Sequence, residues 1–93
     1  MISMHDVPRA DADLTVRDIG EETIILSEKG EMLHTLNAVA AFLWRHIDGH
    51  NTVGDMLAAL LREYEVPEST ARADLLRVLE ELAQKRLVQF AGK

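Results

Sequence analysis

Residues 32 to 47 read MLHTLNAVAAFLWRHI, and within them the spacing of apolar residues changes from that of a strand to that of a helix. Up to Leu36 the stretch is short and apolar, without proline, lysine or an acidic residue. Beyond Asn37, apolar residues such as Val39 and Phe42 recur at helical spacing. Asparagine is a favourable N-cap because its side-chain oxygen accepts a backbone N–H of the first turn. The stretch therefore predicts a strand that leads directly into a largely buried helix.

Strand character extends toward the N-terminus from this point, over residues 14 to 36. Apolar and polar residues alternate at its start, and residues 23 to 26, TIIL, form a run rich in β-branched side chains. Gly20 separates the first two segments, and the link EKG, ending at Gly30, separates the second pair. Glycine readily adopts the positive φ that tight hairpins need. These segments predict a three-stranded antiparallel meander whose third strand is Met32–Leu36.

Two more helices are predicted toward the C-terminus. Asp48-Gly49 is expected to end the first helix, because glycine suits the left-handed position at a helix C-terminus. Thr52 and Asp55 resemble a capping box that opens the second helix. Val66-Pro67 is expected to end that helix, since the residue before proline avoids the α region. The third helix then opens at Pro67 and runs to about Lys85.

Three strands followed by three helices describe a small α+β domain of winged helix-turn-helix type. A chain of 93 residues has room for one such core. We expect residues 14 to 90 to form this domain, with residues 87 to 90 as a short closing strand or a packed tail. Residues 1 to 13 are polar and are expected to form a flexible leading arm.

Composition excludes several classes of protein. The chain has no cysteine, so disulfides, thiolate nucleophiles and cysteine-based zinc sites are absent. No signal peptide is recognisable, and no apolar stretch approaches the roughly 20 residues of a membrane helix. We therefore expect a cytoplasmic protein without a membrane partner. The formal net charge is −6, from 10 Lys and Arg against 16 Asp and Glu, which disfavours binding to a polyanion.

The sequence offers no constellation for catalysis. His46 and His50 have the spacing of a helical metal site, but Asp48-Gly49 between them is expected to end the helix, so solvated surface histidines are the simpler interpretation. No nucleophile motif and no phosphate-binding glycine loop occurs. We expect no catalytic residue, no metal site and no cofactor, and hence a protein that is not an enzyme.

The last two helices also allow a helix-turn-helix interpretation. A winged-helix DNA-binding transcriptional regulator needs lysine and arginine to neutralise phosphates. In the third helix, positive and negative charges cancel instead: Arg72, Arg77 and Lys85 against Asp74, Glu80 and Glu81. DNA binding thus stays as a disfavoured alternative. A third alternative is a homodimer in which the strand Met32–Leu36 pairs with its own copy.

Two features predict a peptide-binding groove. The third strand would be an edge of the meander, and it lacks the charges and proline that normally protect an edge from pairing with other chains. Beside the core-facing stripe of the third helix, an additional flank is largely apolar, whereas the opposite flank, Asp74, Glu81 and Lys85, is charged. An edge covered by the chain itself and a deeply packed helix are the alternatives. The predicted binding residues are Met32, Leu33, His34, Thr35 and Leu36 of the strand and Arg72, Leu76, Leu79 and Ala83 of the helix.

An ordered set of residues carries a family resemblance across most of residues 14 to 88. The set comprises Leu36-Asn37, Phe42-Leu43-Trp44, Ile47-Asp48-Gly49, Thr52-Val53 with Asp55, Tyr64 with Val66-Pro67, Asp74, Leu79, Leu82 and Leu87-Val88. In these positions the chain resembles the PqqD-like family, the peptide-recognition elements of ribosomal peptide natural-product pathways.

The resemblance implies a specific mode of binding. In that family the leader segment of a precursor peptide adds as a strand to the third β-strand and packs against the third helix. The module then presents the precursor to a modifying enzyme, such as the radical S-adenosylmethionine (radical SAM) protein of PQQ biosynthesis. By this resemblance, a precursor-peptide leader and a modifying enzyme are the expected partners, in PQQ or another peptide pathway.

Overall fold

The computed structural model describes residues 2 to 27 and 32 to 90. Along the chain the elements are β1 (Pro8–Ala10), β2 (Leu14–Ile19), β3 (Glu22–Ser27), β4 (Met32–Leu36), α1 (Ala38–Arg45), α2 (Val53–Glu63), α3 (Glu68–Gln84) and β5 (Val88–Phe90). None of the helices in the described part of the chain is long and apolar enough to cross a membrane.

The predicted meander is confirmed as an antiparallel sheet in the order β2-β3-β4. Gly20 makes the first turn with a φ of +62°, in the left-handed region that a side chain would strain. The predicted second link, residues 28 to 30, lies outside the described residues. Because β3 is central, β2 and β4 are the two edges of this sheet.

The two faces of the sheet differ in burial because successive side chains point to opposite sides. Ile25 of β3 and its cross-strand partner His34 of β4 are buried on the inner face, which packs against α1. Leu26 and its partner Leu33 lie on the outer face and are exposed. The sheet thus has one face packed against α1 and one exposed face.

Helix α1 begins as predicted, since Asn37 accepts a hydrogen bond from the backbone N–H of Ala40 at 2.9 Å. It ends at Arg45, however, and not at the predicted Asp48-Gly49. The Asp48 carboxylate instead accepts the backbone N–H groups that follow it, at 2.8 and 2.9 Å, and folds the segment into a separate turn. These hydrogen bonds, the one from Asn51 foremost, hold the pKa of Asp48 below its ordinary value.

The predicted capping box of α2 is confirmed. Thr52 accepts from the Asp55 backbone N–H at 3.0 Å, and the Asp55 carboxylate accepts from the Thr52 backbone N–H at 2.9 Å. The helix ends at Glu63, before the predicted stop at Val66-Pro67, because Tyr64 is already extended. Helix α3 opens after Pro67 as predicted and ends at Gln84.

The N-terminal segment differs from the flexible arm that the sequence predicted. Its strand β1 pairs antiparallel with β5, with Pro8 opposite Phe90 and Arg9 opposite Gln89. Upstream of β1, the carbonyls of Met4 and Asp6 each accept a backbone N–H from the first turn of α2 at 2.9 Å. These bonds satisfy amide groups that a helix N-terminus leaves without partners. Backbone hydrogen bonds therefore join this segment to both α2 and β5.

Helix α3 has three distinct sides. The predicted core stripe of Ala71, Leu75, Val78 and Leu82 is buried, together with Leu79. Leu76 and Ala83, on one flank, are half-buried against the core. On the other flank, Arg77 lies between two carboxylates, 3.6 Å from Asp74 and 3.8 Å from Glu81. The apolar flank is thus packed and the charged flank is exposed.

The capping box generates a stability prediction. Thr52→Ala removes the hydroxyl that accepts the Asp55 amide, so the free energy of unfolding should fall by about 1 kcal/mol. Urea denaturation followed by circular dichroism measures this change at constant slope. Thr70→Ala is the matched control, because Thr70 is exposed within α3 and alanine favours helix. Equal losses at both positions would contradict a special role for the cap.

The orientation of α3 leads to a second stability prediction. Leu79→Ala opens a cavity at a fully buried position and should lower the free energy of unfolding by about 2–5 kcal/mol. Arg77→Ala removes only exposed ion pairs and should change it by less than about 1 kcal/mol. The same urea titration compares them. A large loss at Arg77 with a small one at Leu79 would mean that α3 is rotated relative to this arrangement.

Candidate functional site

Strand β4 is a free edge within the described part of the chain. It pairs with β3 on one side, and no described strand pairs with its other side. Two large apolar side chains on this short strand are exposed, Met32 at 54% and Leu33 at 64%. Neither charge nor proline protects the edge, so its main-chain groups are accessible to an added strand.

A groove of about 240 Å³ runs between the end of β4 and α3. Its lining comprises Thr35, Leu36 and Asn37 at the β4 end, Val39 and Ala40 of α1, and Asp74, Arg77, Val78, Glu81, Leu82 and Lys85 of α3 and its C-cap. The groove thus lies between the third strand of the meander and the third helix.

The groove combines an apolar floor with a charged rim. Leu36, Val78 and Leu82 in its lining are buried. The rim carries two carboxylates and two cations, so it has no net formal charge although the chain carries −6. Arg77 is already held between the two rim carboxylates. Such a rim suits a neutral, extended peptide better than a polyanion.

The strand half of the predicted site lies at the groove and along the edge. Thr35 and Leu36 line the groove directly. His34 is buried on the inner face of the sheet, whereas Leu33 is exposed on the outer face. Met32 opens the strand at the end away from the groove lining.

The helix half of the predicted site does not line this groove, and its part in peptide binding stays a prediction. Leu79 is fully buried in the core, and Leu76 is half-buried against it. Ala83 lines a separate cavity with Ile2 and Phe90. The remaining predicted residue is exposed and bonded along its own helix: Arg72 donates to the Glu68 carboxylate at 2.6 Å.

The two flanks of α3 have different neighbours. The sequence placed the groove on the apolar flank of α3, since apolar surface beyond the core stripe indicates a binding wall. In the structure, Ile2 and Phe90 lie beside that flank, near Ala83. The charged flank, interpreted from the sequence as solvated surface, therefore faces β4.

The described residues of the groove include no cluster of side chains that could hold a metal ion. Within residues 2 to 27 and 32 to 90, no three His, Asp or Glu side chains lie close enough to hold a metal ion. The pKa of Asp18 is lowered, mainly because the Thr23 hydroxyl donates to its carboxylate at 2.7 Å, with Arg45 at 3.4 Å adding to the effect. This cluster joins β2 to β3 and α1, away from the groove lining, and has a structural role.

Solved structures share this fold over most of their length. The structure of TbiB1 in complex with the TbiA(beta) leader peptide matches with a TM-score of 0.82 and 23% identity, over 87% of this chain and 94% of that one. A lasso peptide synthetase B1 complexed with the leader peptide matches with a TM-score of 0.79 and 19% identity, over 89% and 98%. These two likenesses describe the fold.

A third structure links fold and family. The solution structure of the PqqD truncation of Methylobacterium extorquens PqqCD, a stand-alone recognition element for ribosomally synthesized and post-translationally modified peptides, matches with a TM-score of 0.77. Identity is 27%, over 96% of this chain and 95% of that one. No curated protein sequence matches the chain. The sequence profile of the family described as Coenzyme PQQ synthesis protein D (PqqD) matches residues 22 to 88, and this chain belongs to that family.

Proposed function

We infer that this protein binds the leader segment of a ribosomally made precursor peptide, which adds as a strand to β4, and that it presents the precursor to a modifying enzyme. The observation that carries this inference is the accessible edge of β4 beside the groove against α3, in a member of the PqqD family. Two structures of the same fold are complexes with a leader peptide.

Strand addition accounts for the affinity without any reactive group. The five residues of β4 offer an edge of about 16 Å, at roughly 3.3 Å per residue. Since alternate residues of an edge strand face outward, about four to six main-chain hydrogen bonds can form, each worth about 1 kcal/mol net. These bonds do not depend on the leader's side chains.

The alternation of side chains gives the leader two environments. Residues on its inner face would lie over the groove floor near Leu36 and Val78. Residues on its outer face would lie beside Leu33 and Thr35. Because a free leader is disordered, ordering it costs several kcal/mol, and the affinity should be moderate, on the order of micromolar. Tethering then raises the local concentration of the precursor at the enzyme.

The partner enzyme supplies the chemistry. A radical SAM protein or a similar modifying enzyme, in PQQ or another peptide pathway, fits this role, and such a pathway would operate in the cytoplasm. Binding and presentation need no catalytic residue and no cofactor in this chain. DNA binding is a weaker alternative, because Arg72 and Arg77 of α3 already pair with carboxylates of the same helix.

An amide NMR titration tests the proposed binding mode. The probe is a synthetic peptide enriched from a random linear library displayed against the immobilised protein. We expect shifts in Met32–Leu36 and on the charged side of α3, at Asp74, Arg77, Val78, Glu81 and Lys85. Amides of β4 should also gain protection from hydrogen exchange, because the added strand accepts their N–H groups, whereas those of β2 should not.

A matched pair of variants locates the added strand. Thr35→Asp places a carboxylate on the β4 edge and should weaken peptide binding several-fold. Thr15→Asp makes the same change on the outer face of the opposite edge strand, β2, and should leave the affinity unchanged. Shifts centred on Arg72, Leu76 and Ala83 would transfer the peptide to the other flank of α3. Loss of monomer with rising concentration, with β4 already protected, would support a homodimer instead.

A further inference from the structure

A second, smaller cavity adjoins the groove at the α2–α3 turn. Its volume is about 70 Å³, and its lining comprises Val39, Leu60, Tyr64, Val66, Ala71 and Asp74. Two of these residues, Val39 of α1 and Asp74 of α3, also line the larger groove. The small cavity is therefore adjacent to the groove, beyond the end of β4.

The walls of this pocket are apolar and firmly placed. Leu60 and Ala71 are only 3% and 1% exposed. The Tyr64 ring is held edge-on against Phe42, with ring centroids 5.7 Å apart and an interplanar angle of 88°. Val66 is 40% exposed and borders the opening to solvent. A pocket with buried apolar walls and an open mouth is suited to one apolar side chain of a ligand.

The size of the pocket restricts that side chain. A cavity of roughly 150 Å³ is large enough to hold a benzene ring, and this one has about half that volume. The pocket therefore suits a small branched aliphatic group, such as that of valine, better than an aromatic ring. The one carboxylate in the lining, Asp74, is 3.6 Å from Arg77 and lies where pocket and groove meet.

We propose that the leader extends past β4 and anchors one branched aliphatic side chain in this pocket, which rests on the proposed function of the groove. The groove and the pocket share Val39 and Asp74 in their linings, so a leader that lies in the groove ends next to the pocket. The pocket would also help the protein to distinguish one leader from another. Main-chain pairing with β4 does not depend on the leader's sequence, and the balanced charges of the groove rim do not favour a leader of either charge. The pocket thus defines the substrate class: leaders with an aliphatic residue just outside the strand-pairing segment.

The experiment uses a peptide enriched from the random display library and measures its affinity by calorimetry. Enriched peptides should share a Val, Ile or Leu at a fixed distance from the pairing segment. Val66→Asp places a charge at the pocket mouth and should weaken binding about tenfold. Val16→Asp is the matched control, because Val16 is 41% exposed and lies on the opposite edge strand, β2; it should change binding less than twofold.

A double-mutant cycle makes the assignment specific. Truncating the shared aliphatic residue of the peptide to alanine should cost about tenfold with the wild-type protein and little with Val66→Asp, because both changes remove the same contact. If Val66→Asp does not fold, the truncated peptide and the methyl signals of Leu60 and Ala71 in the wild-type protein provide the same readout.

Two further outcomes distinguish failure of the pocket proposal from failure of the proposed function. A peptide that protects β4 from exchange, yet binds Val66→Asp with unchanged affinity and leaves the Leu60 and Ala71 methyl signals unmoved, overturns the pocket and leaves the groove function intact. Failure to enrich any peptide, or binding that bypasses β4, overturns the proposed function and the anchor with it.

Discussion

The pairing of β1 with β5 is the interaction on which the rest of this structure depends. It joins residues near the two ends of the chain, with Ala10 opposite Val88, and is extended by a bond from the Asp11 N–H to the Leu87 carbonyl at 2.9 Å. Arg86, at a φ of +62°, reverses the chain out of α3 so that β5 can return to β1. Phe90 of β5 lies beside one flank of α3, near Ala83, together with Ile2 upstream of β1. The opposite flank lines the groove beside the open edge of the sheet.

This arrangement leaves a charged flank of α3 as one wall of the groove. The apolar flank, with Leu76 and Ala83, has its partners inside the molecule. The apolar side chains of Val78 and Leu82 lie beneath the charged flank, and Arg77 pairs with both Asp74 and Glu81. An extended peptide can lie on such a surface without burying an unpaired charge, since the exposed ions keep their water. In the proposed binding mode, backbone pairing would supply the affinity and apolar contacts the selectivity.

Local features of the fold were predictable from the sequence, whereas distant ones were not. The Asn37 cap and the Thr52–Asp55 capping box depend on atoms within three residues, and both have the predicted hydrogen bonds. The meander follows from its alternation and turn residues. Strand β1 lacks any such signal, because its partner is about 80 residues away in the chain and its three residues, PRA, have no strand pattern. The flank of α3 that lines the groove was also not predictable locally, since Ile2 and Phe90, near opposite ends of the chain, lie beside the other flank near Ala83.

The two edges of the sheet differ in a way that supports a binding function for β4. Strand β2 carries adjacent charges in its interior, Arg17 and Asp18, and charges on an edge disfavour pairing with other chains. Strand β4 is also an edge strand, but none of its five residues is charged. An unprotected edge is an aggregation liability, so a fold that protects one edge and leaves the other open is expected where the open edge has a regular occupant. The groove and its adjoining pocket lie beside β4 and not beside β2, which is where such an occupant would need side-chain contacts.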